Sequence, residues 1–427
     1  MKKHLLALSA AAVLLAPQTV GAEGFSINEW SAEGFAMGGA RMFAENDAAN
    51  MAYNPASLTK IKGEVAKISA TYISPHGKYK TYNSQLAQGM SQGKIGPEST
   101  GHNRVHPAWA PGMYYVKQMN DKEWIGFGSY ARFGNSCQFQ QGSMPGFNNT
   151  SSKINGMSVG VNYAKKLDNK WSASLGAEVN YAWLQIDKTL PYGLPNTGKM
   201  QLEGESYALG WNAAANYAFD DKNEMGVVYR SAVNHSMEAN VRAAGFMATP
   251  MGVGGTTADA YGYVTLPESI MIGYGHKFND KTRVELNGTW TRWSRFDNLT
   301  IMNKTYGGEL SNHDKNWKDG WRYAIGIEHK LSDKYSLLGG IAYDESSIPD
   351  YPEVGADFMV PTGTRTTFTI GTQYHDEKQT LALAIGYMKV GDLRIEGDGI
   401  SAGKLYDHAK MYDSYTKLVS ISYQYNF

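Results

Sequence analysis

From Trp171 to Trp183 the chain alternates strictly: Trp171, Ala173, Leu175, Ala177, Val179, Tyr181 and Trp183 are apolar or small, and the residues between them are small or polar. A period of two puts each set on its own face of a β-strand. The same rhythm runs through Val159, Val161 and Tyr163, through Ile270, Ile272 and Tyr274, through Val284, Leu286 and Trp290, and through Trp321, Tyr323, Ile325 and Ile327. The intervening positions include Glu178, Arg283, Glu285, Arg322 and Glu328. Marking every such stretch predicts about fourteen strands, near 63–75, 106–119, 124–134, 156–167, 171–186, 207–220, 224–241, 268–280, 282–293, 321–333, 335–346, 364–376, 380–390 and 415–427.

The connections fall into two kinds. Short ones repeat one character: Asn120-Asp121-Lys122-Glu123, Asp168-Asn169-Lys170, Asp220-Asp221-Lys222-Asn223, Asn279-Asp280-Lys281, Ser332-Asp333-Lys334 and Asp376-Glu377-Lys378. The long ones run roughly 17 to 30 residues. Short turns at one end and long loops at the other, on an even number of antiparallel strands, predict an all-β fold: a transmembrane antiparallel β-barrel. A soluble β-sandwich would explain alternation as well. It would not explain charge on the second face, nor a chain ending in apolar residues at every second position back from Phe427, as a last strand read by barrel-insertion machinery would.

Composition narrows the class further. With 40 basic against 40 acidic residues there is no net positive charge to neutralise nucleic-acid phosphates, so nucleic acid is excluded as a partner. Cys137 stands alone, which rules out an intramolecular disulfide and a cysteine-based zinc site. A mean hydropathy of −0.42 is too polar for a bundle of membrane helices. Lys2 and Lys3 before the apolar run Leu5–Ala16 predict a secretory signal peptide over residues 1–22. Barrels and helices alone satisfy their backbone in lipid, so membrane residence here means a barrel, over residues 63–427. Residues 23–62 break the alternation, yet Trp30, Phe35, Met37, Met42, Phe43, Met51 and Tyr53 need burial. A compact plug in the lumen, a hatch ending at the turn-forming Asn54-Pro55-Ala56, provides it.

These residues resemble the FadL family of outer-membrane transporters for long-chain fatty acids and other hydrophobic compounds. The likeness starts at Gly24-Phe25-Ser26-Ile27-Asn28-Glu29-Trp30-Ser31, includes Asn50 to Ala56, and resumes at Gly210-Trp211-Asn212-Ala213. It continues through Tyr229-Arg230-Ser231, Leu266-Pro267-Glu268 and Trp317-Lys318-Asp319-Gly320-Trp321-Arg322 to Phe427. The resemblance implies a fourteen-stranded barrel of a Gram-negative outer membrane, a monomer, with an N-terminal hatch in which Phe25, Trp30, Asn54, Pro55 and Ala56 take part. It implies surface capture of ligand, an internal pocket, and lateral release into membrane lipid where the third strand kinks. The matching strand is Trp124 to Gly134, with Gly126, Gly128 and Gly134 as candidate kink positions. Lys318, Arg365 and Lys188 match basic residues that would meet a carboxylate. Phe246, Met247, Met251 and Val253, in the expected loop 242–267, would line the capture groove, whose second wall would be a loop at 187–206. No cofactor is implied.

Two other function classes find only partial signals in the sequence. Gly156-Met157-Ser158-Val159-Gly160 has the spacing of a hydrolase nucleophile, but that motif needs a strand–turn–helix elbow and here sits on an alternating strand. His102 and His106 alone do not make a metal site, so no metal and no enzyme are expected. The reading is passive uptake of long-chain fatty acids or similar molecules; uptake of aromatic hydrocarbons, a lipid hydrolase and a surface adhesin are the alternatives.

Overall fold

The structure, a computed structural model, describes residues 24–191, 197–249, 252–349, 357–397, 399–400 and 403–427. The expected signal peptide lies outside them. Alternating segments form β1 (Glu64–Asn83), the short β2 (Glu98–His102), β3 (Ala108–Asn120), β4 (Glu123–Gln138), β5 (Ser151–Lys166), β6 (Trp171–Pro191) and β7 (Thr197–Ala218). Then come β8 (Asn223–Arg230), β9 (Val233–Thr249), β10 (Gly252–Leu266), β11 (Ser269–Lys277), β12 (Thr282–Thr291), β13 (Asn298–Asn303), β14 (Glu309–Asp314) and β15 (Gly320–Lys330). β16 (Tyr335–Asp344), β17 (Arg365–His375), β18 (Gln379–Val390), β19 (Leu393–Glu396), the two-residue β20 (Gly399–Ile400) and β21 (Gly403–Lys404), and β22 (Tyr406–Asn426) complete the chain.

Pairing is antiparallel throughout, and β22 returns to β1 from Val65↔Asn426 to Asn83↔Tyr406, closing the sheet. β8 with β9, β10 with β11, β12 with β13 and β14 with β15 each form one interrupted wall strand. The wall is therefore a closed fourteen-strand antiparallel barrel. Closure removes sheet edges, so the backbone ladder runs on from strand to strand around the wall, except beside a bend in β4.

The alternation resolves as predicted into an outer apolar face, where Leu175, Val179, Ile325, Ile341, Leu383 and Ile421 are exposed, and an inner face where Glu178, Glu285 and Arg322 are buried. Exposed aromatics ring both ends: Trp171, Phe219, Phe278, Tyr335 and Phe427 near the short turns, Trp109, Trp321, Tyr343 and Tyr387 toward the long loops. Two expectations are corrected. Residues 187–191 with 197–206, and 242–249 with 252–266, are not loops: they are the ends of β6 and β7 and the paired arms β9 and β10, which extend the wall past the aromatic ring. The reason is visible in β7, where Leu202 and Gly204 still face inward between outward Glu203 and Glu205, so the period-two pattern never stops.

The N-terminal segment, residues 24–62, threads the barrel interior as α1 (Ala32–Ala36), α2 (Asn50–Tyr53) and a 3-10 turn (Pro55–Lys60). Ser31 Oγ caps α1 by accepting from the Gly34 amide at 3.1 Å. Asn54 caps the 3-10 turn through Ala56 N at 3.1 Å, with Pro55 in its first turn, and donates from Nδ2 to Asn216 Oδ1 of β7 at 2.6 Å. Wall glycines let it lie close: a Cβ on Gly340 would sit 2.2 Å from the Met37 carbonyl carbon, and one on Gly386 would sit 2.4 Å from the Phe35 ring. The segment also touches the closing strand, where Ser422 Oγ accepts from Ala32 N at 2.7 Å and Gln424 Oε1 from Ala48 N at 3.0 Å.

Candidate functional site

β4 carries the main irregularity of the wall. From Asn120↔Glu123 to Gly112↔Tyr130 it pairs with β3, and from Glu123↔Lys165 to Gln138↔Ser151 with β5. Past Tyr130 the β3 side is abandoned, and a register shift lies between Ala131 and Phe133. There the N-terminal segment takes β3's place: Ile27 N donates to Arg132 O at 2.9 Å, Gly134 N donates to Phe25 O at 2.8 Å, and Ser26 bridges Phe133. Residues 129–137 are buried on both faces, as a strand must be once it leaves the wall for the interior. Arg104 N then donates to Gln138 O at 2.7 Å. Between these points, among the described residues, β3 and β4 share no backbone hydrogen bond, which leaves a window in the wall beside Val105–Pro111.

The bend therefore starts at Ala131, after two of the three glycines expected to cause it. Gly126 and Gly128 lie in the regularly paired part, where their missing side chains make room for Met51 of the N-terminal segment. Gly134 lies in the displaced part.

Inside the bend an aromatic box surrounds Phe25. Its ring meets Trp293 at 4.8 Å, Phe296 at 5.3 Å, Phe133 at 5.9 Å and Trp317 at 6.0 Å, all in edge-on packing. A cavity of about 40 Å³ adjoins it between Ser26–Asn28, Trp30, Arg132, Phe133 and Arg230. Above, on the long-loop side, Leu184, Ile186, Leu202, Met237, Ala239, Leu299 and Ile301 line an apolar interior.

Charged side chains border this greasy path. Arg365 is buried, donating to Thr362 Oγ1 at 3.0 Å and to the Gly24 carbonyl at 3.5 Å, next to Phe25. Burial pushes the Glu29 carboxyl up, against the pull of Arg322 and Arg365. Lys188 is half-buried and lines a cavity of about 30 Å³ with Ile186, Leu202 and Leu299. Lys318 is exposed; the buried lysine of that stretch is Lys315, which is paired with Asp357. The side chains of Phe246, Met247 and Val253, and residue Met251, lie outside the described residues.

Trp30 Nε1 donates to Ala131 O at 2.7 Å and its ring packs on Tyr53 and Tyr130, so it braces the start of the bend. Ser158 of the hydrolase-like spacing sits mid-strand and donates to Asn180 Oδ1 at 2.6 Å, with no elbow.

Sequence reasoning missed Arg132, which pairs with Glu178 at 2.6 Å inside the bend, and His235, which is buried with neither ring nitrogen bonded among the described residues. His235 had a signal: it replaces an apolar residue on the inner face of an alternating run.

Below the aromatic box the N-terminal segment is tied to the wall by ions. Lys67 of β1 reaches Glu33 at 2.9 Å and Asp47 at 2.7 Å; Arg41 reaches Asp47 at 3.0 Å and Glu328 at 3.3 Å; Arg283 joins Glu328 at 3.0 Å. Burial raises the Asp47 carboxyl, but Lys67 and Arg41 outweigh it and hold it well below the ordinary carboxylate range. Replacing one buried partner strands the others. Lys67→Met is expected to destabilise the segment's seat by about 3–5 kcal/mol and to raise channel flicker in planar bilayers. A silent, wild-type trace from folded variant would disprove the latch. Acid acts in the same direction, because a depressed carboxylate stabilises above its unfolded pKa and loses that contribution as pH falls below about 4.

Comparison with known proteins agrees with this architecture. The family model described as "Outer membrane protein transport protein (OMPP1/FadL/TodX)" matches residues 12–427. The long-chain fatty acid transport protein of Escherichia coli K12 is 25% identical over 428 residues, covering 91% of this chain and 92% of that one. Outer membrane protein P1 of Haemophilus influenzae is 25% identical over 433 residues, covering 91% and 90%. Among solved structures, a Pseudomonas aeruginosa FadL homologue superposes with a TM-score of 0.80 at 18% identity, covering 95% of this chain and 100% of that one. The Pseudomonas putida toluene transporter TodX does so with 0.69 at 16%, covering 94% and 99%. A closed fourteen-strand wall, an apolar interior and a family match over nearly its whole length place this chain in the FadL/TodX family of outer-membrane transport proteins, a family of transporters and not of enzymes.

Proposed function

We propose that the chain carries long-chain fatty acids, or molecules of similar shape, passively across the outer membrane, and that residues 24–62 are its hatch. Ligand enters the apolar interior among β6, β7, β9, β10 and β13, displaces side chains in the box around Phe25, and leaves sideways through the window between β3 and β4. The observation that carries this reading is the exchange of β3 for Phe25–Ile27 along the edge of β4. A single short stretch of the hatch both fills the aromatic box and seals the bend, so displacing Phe25 and opening the exit are one event. Physical cost points the same way: exposing an acyl chain to water forfeits roughly 0.8 kcal/mol per methylene, which a lateral route avoids.

Arg365, against the Gly24 carbonyl, is the cation nearest the box that matches the expected carboxylate partners. Arg365→Gln is expected to weaken oleate binding about 10- to 100-fold, the range of a charge-assisted hydrogen bond, and to leave oleyl alcohol binding unchanged. Equal losses for both ligands would remove Arg365 from head-group recognition. The aromatic box favours a second reading, uptake of aromatic hydrocarbons. In cells lacking other routes, restored growth on oleate supports the first; restored toluene uptake without oleate uptake selects the second.

A further inference from the structure

The outer wall carries its charge unevenly from the long-loop aromatic ring upward toward the long loops. On β18, β22, β1 and β19 the outward positions are Lys389, Lys417, Lys410, Lys78, Lys80 and Arg394. Register places Lys80 directly opposite Lys410 on one side, and Arg394 directly opposite Lys410 on the other, so three cations stand in one row across three adjacent strands. Like charges in directly opposed positions destabilise a sheet unless something anionic lies between them. Tyrosines fill the rows below: Tyr412 opposite Lys78, Tyr415 opposite Lys389, and Tyr387 opposite Lys417. The Lys410 ammonium lies 4.9 Å from the Tyr412 ring centre and that of Lys417 lies 5.8 Å from Tyr415.

Protein carboxylates answer only part of this charge. Glu98 reaches Lys80 at 2.6 Å and Asp413 reaches Lys78 at 3.0 Å. Among the described residues, Lys389, Lys410 and Lys417 have no acidic partner. Beneath them the wall is bare hydrocarbon, with Ile385, Leu383, Val419, Ile421 and Ile68 exposed. On the far side of the barrel the outward positions of β7 and β9 carry three carboxylates, Glu203, Glu205 and Glu238, against two cations, Lys199 and Arg242, so the balance there is acidic. The basic sector is thus a local feature and not a belt of interfacial lysines.

We infer that this sector is a binding site for a phosphorylated glycolipid of the outer leaflet. Its phosphates would settle among Lys389, Lys410 and Lys417, its sugar ring against Tyr412 and Tyr415, and its acyl chains along the apolar strip below. A lone anion would use the unpaired lysines but not the strip; a neutral lipid would use the strip but not the lysines. The occupant that matches both in one molecule carries more than one phosphate and several chains.

The test uses the full-length protein in detergent micelles, titrated with purified bisphosphorylated lipid A and read by native mass spectrometry. The triple variant Lys389→Gln/Lys410→Gln/Lys417→Gln should bind roughly 100-fold more weakly, at about 1 kcal/mol per charge near an anionic surface. The triple Lys→Arg variant should bind like wild type, and a control, Lys304→Gln on the acidic side, should not differ. Resistance of all variants to unfolding in cold dodecyl sulfate shows that each barrel is intact. Phosphatase-treated lipid A should bind the wild type no better than it binds the triple Gln variant. The proposal is overturned if the folded Gln variant keeps wild-type affinity, or if phosphatidylglycerol competes mole for mole with the glycolipid.

Discussion

Removing residues 24–62 is expected to turn a quiet channel into an open, weakly selective ion pore. Conductance in planar bilayers should rise from near zero to a steady level carried by water in the vacated lumen. The argument rests on volume and on partners. The segment fills the barrel from Phe25 to Ile61 with buried Phe35, Met37, Met42, Phe43, Met51 and Tyr53, and its wall contacts reach β1, β7, β12, β15 and β22. What remains after deletion is an inner wall of Glu178, Arg283, Glu285, Arg322 and Glu328, which is a surface that wets. Except along the bend of β4, where Phe25–Ile27 take the place of β3, the wall's own hydrogen bonds do not pass through the segment, so the empty barrel should still fold and resist dodecyl sulfate. A folded deletion mutant that conducts no more than the wild type would refute the hatch.

A straightened β4 is expected to abolish uptake while sparing binding. The two-for-one register at Ala131/Phe133 is what turns the strand inward, and Arg132 is the residue it accommodates. Deleting Arg132, with Glu178→Gln so that no carboxylate is left without its partner, would let residues past Tyr130 continue their ladder with β3 and close the window. Labelled-oleate uptake should then fall to the level of cells lacking the transporter, a loss of well over ten-fold. Oleate binding should change by no more than about ten-fold, since one residual hydrogen bond is worth roughly 0.5–1.5 kcal/mol at most. Normal uptake through a wall shown to be continuous would leave passage through the hatch as the route.

Much of this molecule is written in period two. Strand number, the inner position of Glu178, Arg283, Glu285, Arg322 and Glu328, and the outer aromatic rings all follow from which residues alternate, because lipid on one side and water or protein on the other leave a strand no third option. The part of β9 beyond Val241 and the whole of β10 escaped that reading because their residues are largely small, such as Ala243, Ala244, Gly255 and Ala258, and small residues mark neither face. The bend escaped it for a different reason. Glycine is its expected signal, yet Gly126 and Gly128 answer to Met51 across the lumen, a contact between residues far apart in the chain. Ala131–Phe133 carries no local signature, because what holds the bend is the strand-like stretch Phe25–Ile27 laid along its edge. Lys315 was hidden by its neighbour: Lys318 lies in the same Trp-flanked stretch, and only the turn of the chain decides which of the two looks inward.

The contacts between the N-terminal segment and β22 set an order of assembly. Ala32 meets Ser422 and Ala48 meets Gln424 across separations of 390 and 376 residues, so residues made early are secured by residues made much later. Those bonds exist only when β22 lies beside β1, which is the step that closes the cylinder. A segment left outside at that moment would have to be threaded into a finished wall through the narrow end. The seam strand therefore works as a door that shuts on its own bolt: inclusion of the plug and completion of the ring become a single cooperative event, and a defect at Ser422 or Gln424 should show itself in biogenesis before it shows itself in transport.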